Sequence, residues 1–114
     1  MAIDLSGFEP RVRALDPEWA ALAYEVTIKP ISPNYGKPVT LAEFVGTDWL
    51  ASVIVWETGE LDLDAGRVAD GWLVSKHYDL ERVAELDKVL GELAALFRDG
   101  DVPPDAMTSW LNVG

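Results

Sequence analysis

The sequence predicts an α+β fold: an antiparallel β-meander of about four strands with a long C-terminal helix packed on one face. Two observations carry this expectation. Runs rich in β-formers recur between Tyr24 and Tyr78, broken by glycine and proline clusters. Beyond them, Val83, Leu86, Leu90, Leu93 and Phe97 recur at three- and four-residue spacing, the stripe of an amphipathic helix. The chain has 114 residues, which suits a single domain over 1–114 with its own core.

The elements follow in order. Ser6 reads as a helix N-cap with Glu9 as its capping-box partner, and Pro10 falls in the first turn, where it is tolerated. Asp16 reads as a second N-cap, with Pro17 at the first helical position and Trp19 to Ala23 continuing the helix. Tyr24, Val26 and Ile28 then alternate, as in a strand. Prolines, serines and Gly36 predict a loop over about 29–38. Val39 to Val45 is a second strand candidate, although Leu41-Ala42-Glu43-Phe44 is ambiguous in period.

Trp49 to Glu57 is the most concentrated β-forming stretch, apolar on both faces, and reads as a central strand. Thr58-Gly59 is a turn. Glu60-Leu61-Asp62-Leu63-Asp64 alternates strictly, as in a strand with one wet face. Gly66 to Gly71 reads as a connection and Trp72 to Tyr78 as a further strand. Asp79 is the expected N-cap of a helix from Leu80 to about Phe97, closing near Asp99-Gly100 and burying Leu86, Leu90, Leu93 and Phe97. Pro103-Pro104 stops any continuation. Met107, Trp110 and Leu111 are apolar enough to dock the tail on the core.

The stretch "VIVWETGELDLD" and the later "HYDLERVAELDKVLGELAALF" resemble the TriTu family of immunity proteins from bacterial polymorphic toxin systems. The likeness runs from Trp49 to Phe97: an apolar strand closing in Trp56-Glu57-Thr58-Gly59, acidic–apolar alternation, then His77-Tyr78 leading into the helix. The resemblance implies an α+β fold, no catalytic activity, and binding to a cognate toxin made by the same cell.

Composition restricts the function independently. Nine basic residues stand against twenty acidic ones, a net charge of −11, which disfavours nucleic acid and anionic membrane and favours a partner with a basic surface. No cysteine is present, so disulfides, thiolate metal sites and a cysteine nucleophile are excluded. The start, Met1-Ala2-Ile3-Asp4-Leu5, lacks the basic and apolar regions of a secretory signal, and no run reaches the ~20 apolar residues of a membrane span. A cytoplasmic protein is expected. His77 is the only histidine, and a lone histidine at a strand end is more often structural than an acid or base. Asp62-x-Asp64 has no further ligand cluster, and no metal or phosphate motif occurs. No cofactor, metal or catalytic residue is expected.

The turn at Thr58-Gly59 decides which side chains share a face. A two-residue loop would demand positive φ at Thr58, costly for a β-branched residue. A three-residue loop, Glu57-Thr58-Gly59, needs positive φ only at Gly59 and is favoured. It sets Trp56 opposite Glu60, Ile54 opposite Asp62 and Ser52 opposite Asp64, with Val53, Val55, Leu61 and Leu63 on the core face. Trp56, Glu60, Asp62 and Asp64 are then the candidate partner-binding residues: an aromatic anchor beside carboxylates that steer a basic partner. The competing reading buries Trp56 under the N-terminal segment with the acids as a solvated rim. The two-residue loop would turn Trp56 inward and keep only the acidic row. Two functions remain open, a toxin-neutralising binder and a small acidic secretion chaperone. Their discriminant is action on a folded toxin as against a partly unfolded client.

Overall fold

The computed structural model describes residues 2–34 and 36–110. Its sheet is a plain antiparallel meander, β1 to β6 in sequence order: β1 Glu25–Asn34, β2 Lys37–Val45, β3 Trp49–Trp56, β4 Glu60–Arg67, β5 Trp72–Asp79 and β6 Met107–Trp110. A 3₁₀ turn at Leu5–Gly7, α1 Phe8–Arg13 and α2 Asp16–Ala21 precede the sheet, and a 3₁₀ turn at Val83–Glu85 leads into α3 Leu86–Asp99. The sheet therefore has six strands where about four were expected.

Every helix lies on one face. Leu86, Leu90, Leu93 and Phe97 are buried as the helical stripe requires, against Val53, Val55, Leu61 and Leu63 from β3 and β4. Phe8 and Val12 of α1 and Trp19 of α2 join the same core. The Trp19 ring meets Phe44 at 5.1 Å and Phe97 at 6.0 Å, both edge-on, and its indole N–H donates to the Val12 carbonyl at 3.0 Å. Gly100, at φ 73°, closes α3 and donates its N–H to the Leu96 carbonyl at 2.9 Å.

The expected loop over 29–38 is instead the end of a long hairpin, with Ser32 opposite Val39 and Asn34 opposite Lys37. Pro30 and Pro33 are compatible with it because β1 is an edge strand, where a missing N–H breaks no ladder bond on the outer side. A bulge between Lys29 and Ser32 absorbs the irregularity, and the buried Thr40 hydroxyl donates to the Lys29 carbonyl at 2.7 Å.

Four starts and stops also differ. Asp16 is the first residue of α2 and not its N-cap, which is Leu15 and makes no side-chain capping bond. Asp4, not Ser6, caps the first turn: its carboxylate accepts from the Ser6 N–H at 3.0 Å and from the Ser6 hydroxyl at 2.6 Å. Asp79 ends β5 and caps nothing, because its carboxylate meets the His77 ring at 3.1 Å and the Leu80 N–H is taken by the Gly59 carbonyl at 2.8 Å. Helical structure accordingly starts at Val83 and not at Leu80. Gly66 and Arg67 belong to β4, and the turn lies beyond them, held by Arg67 on Asp70 at 2.6 and 2.9 Å. The tail adds β6 along β5, Met107 opposite Ser75 and Trp110 opposite Trp72; Leu111 lies outside the described residues.

Candidate partner-binding face

The β3–β4 turn has the three-residue form. Gly59 sits at φ 95°, its N–H donates to the Trp56 carbonyl at 2.9 Å, and Val55 pairs with Leu61. A side chain at Gly59 would also run into the Leu80 carbonyl, so the position excludes anything larger on two grounds. Ile54 stands opposite Asp62 and Ser52 opposite Asp64. Val53, Val55, Leu61 and Leu63 are buried, so Trp56, Glu60, Asp62 and Asp64 turn to the face without helices. Trp56 is half-buried within that face, opposite Val39, and not under the N-terminal segment, which packs on the helical side.

Registers carry this face across the sheet. One row runs Val45, Leu50, Gly66, Leu73 and Ser109. The next runs Glu43, Ser52, Asp64, Ser75 and Met107, and a third runs Leu41, Ile54, Asp62 and His77. The last joins Val39 to Trp56 on one side and Glu60 to Asp79 on the other. The result is a mixed surface in which Val45 is 51 % exposed, Leu50 52 % and Met107 77 %. These apolar side chains stand exposed among polar ones on the face without helices.

The carboxylates differ in their surroundings. Glu60 meets Lys37 Nζ at 2.6 Å and accepts from the Thr58 hydroxyl at 3.1 Å, and these hydrogen bonds hold its pKa below the usual carboxylate range. The same Lys37 lies 6.0 Å from the Trp56 ring centroid. Asp62 meets His77 Nδ1 at 2.8 Å, and Asp79 meets its Nε2 at 3.1 Å. Hydrogen bonds to Asp62 and then Asp79 raise the histidine pKa above its ordinary value. Asp64 accepts only the Ser75 hydroxyl, at 2.7 Å, and among the described residues no basic side chain bridges to it. Within the acidic row Glu60 thus meets a lysine, Asp62 a histidine, and Asp64, among the described residues, a hydroxyl alone. The sequence carried no sign of Lys37, which fell in the presumed loop, and marked His77 only as a lone histidine, because its place opposite Asp62 depends on the length of the β4–β5 turn.

Among the described residues no group of three or more histidine or acidic side chains is arranged to hold a metal ion, and no helix is long and apolar enough to cross a membrane. The face offers contact area and charge. Residues 18–96 match the family model described as Immunity protein TriTu. The chain belongs to the TriTu family of immunity proteins. The TriTu match starts in α2 and ends in α3, so it spans β1 to β5 and reaches well N-terminal of the Trp49–Phe97 stretch that carries the resemblance in sequence. β6 lies beyond its end. No curated protein and no solved structure matches the chain.

Proposed function

We propose that this TriTu protein binds a cognate bacterial toxin through the helix-free face of its sheet, with Trp56 as an anchor and Glu60, Asp62 and Asp64 toward a basic toxin surface. The observation that carries the reading is the one-sided architecture: helices on one face, exposed apolar side chains among carboxylates on the other. Neutralisation in this reading is by occupancy. The TriTu side supplies no reacting group, and His77, tied to two carboxylates, serves as part of the surface.

The test is protection. The chain is co-expressed with a candidate toxin identified by co-purification, cell survival is scored, and binding kinetics are measured on the purified pair. Because Glu60 is already paired with Lys37, the informative reversal is Asp62→Lys with Asp64→Lys. It should slow association by about ten-fold at low ionic strength with little loss of stability, since exposed substitutions usually change stability by less than ~0.5 kcal/mol. Trp56→Ala should act on dissociation and cost ~2 kcal/mol or more of binding. Survival and kinetics unchanged in both variants would move the interface off this face.

A further inference from the structure

Gly66 interrupts the open face in the middle of β4, with Leu50 beside it on β3 and Leu73 on β5. The missing side chain leaves a shallow notch between the two leucines, within an open depression of about 320 Å³ edged by Ser52, Asp64 and Ser75. Nothing in the backbone asks for glycine here. Its φ is not among the positive ones, unlike Gly59, Gly71 and Gly100. A Cβ would meet a single atom, Leu73 Cδ2, at the ordinary contact distance of 3.5 Å. Gly46, by contrast, is needed because the Tyr24 ring fills the space a side chain would take. A glycine inside a strand weakens it and often marks the place where another molecule comes close.

We infer that this notch receives one apolar side chain of about leucine size from the toxin, flanked by a lysine or arginine that reaches Asp64. The inference rests on the reading of the open face as the toxin-binding surface. Its walls, Leu50 and Leu73, match an aliphatic knob. Its rim supplies the complementary charge, since Asp64 is the carboxylate of the row that no basic side chain among the described residues bridges. An aliphatic side chain seated between two leucines is shielded from water on both sides, the setting in which interface residues contribute most.

Filling the notch from the TriTu side tests this without disturbing the fold. Gly66→Val should melt no lower than the parent, since valine suits a strand and has room. It should weaken binding of the co-purifying toxin by ten-fold or more, with Gly66→Ala intermediate. A second readout uses the absence of cysteine. The single thiol of Gly66→Cys should be alkylated freely in the isolated chain and protected in the complex. A thiol introduced by Gly91→Cys, on the exposed side of α3 where a Cβ meets nothing within 4 Å, should stay reactive in both. Full affinity in Gly66→Val, or an unprotected Gly66→Cys thiol in a complex that Trp56→Ala does weaken, overturns the notch and leaves the face standing. Full affinity in both Gly66→Val and Trp56→Ala overturns the face itself. Concentration-dependent dimers abolished by Gly66→Val would assign the notch to a second copy and likewise overturn the inference. Should Gly66→Val fail to fold, the alkylation comparison decides.

Discussion

His77 is the chain's one histidine, so its protonation can be followed through a single set of imidazole resonances. With carboxylates against both ring nitrogens, only the doubly protonated ring donates to both. The folded pKa is therefore raised by Asp62 and Asp79. A raised value contributes stability that is complete below the unfolded histidine pKa and is lost as pH climbs through the folded one. The ring is exposed, so solvent screens this contribution and it stays small. The native resonances should titrate above ~6.5 and fall toward it in Asp62→Asn; a native midpoint at or below that value would remove the ion pair. Association with a basic toxin should quicken as His77 loses its proton and its two carboxylates are left uncancelled. At this scale the reach of sequence was uneven. The cost of positive φ at a β-branched residue was enough to choose the Glu57-Thr58-Gly59 loop, and with it the side of the sheet on which Trp56 and the acids stand. No comparable rule tied Lys37 to Glu60, because that pairing depends on a hairpin hidden by its prolines.

Elements differ in how they announce themselves. α3 is legible because burial on one side only imposes a period that no strand shares. β1 and β2 are less so, since Pro30 and Pro33 carry the signature of a loop while an edge position accommodates them. β6, at Met107–Trp110, is too short to register a period at all. α3 is fixed to the sheet by apolar packing and by one polar link. Glu92 accepts from the Tyr78 hydroxyl at 2.5 Å and meets Lys76 Nζ at 3.1 Å, and the Lys76 and Glu92 side chains are each only 14 % exposed. Burial, followed by the bond to Glu92, pushes the Tyr78 hydroxyl far above the ordinary tyrosine range. Leu90→Ala should destabilise by ~2–5 kcal/mol through lost transfer energy and a cavity. Glu92→Ala should cost ~1–3 kcal/mol by leaving partly buried donors unpaired, and Glu92→Gln less. Denaturant melts of the three variants check this, and a Glu92→Ala chain as stable as the parent would make the link ornamental.

Across the whole molecule, a charge of −11 surrounds a proposed binding face on which Lys37 and His77 lie among the carboxylates. If the proposed face binds a basic toxin, long-range attraction should bring it toward the protein from many directions, leaving Asp62, Asp64 and the notch to set the final fit. Raising salt from low to physiological levels shortens the screening length to ~8 Å, so association should slow markedly while dissociation changes little. Stopped-flow binding over a salt series checks both, and a salt-independent association rate would remove steering from the account. The plain order of the sheet has a further consequence, in time and not in space. Each of the first five strands finds its neighbour across a short turn, so each pairing closes a small loop and the meander can assemble in the order in which the ribosome delivers it. β6 alone must wait for α3 to be made and seated before it can reach β5. The row that ends in Met107 is therefore the last part of the face to form, and a nascent chain would present Trp56 and the acids to a toxin before it could present that edge.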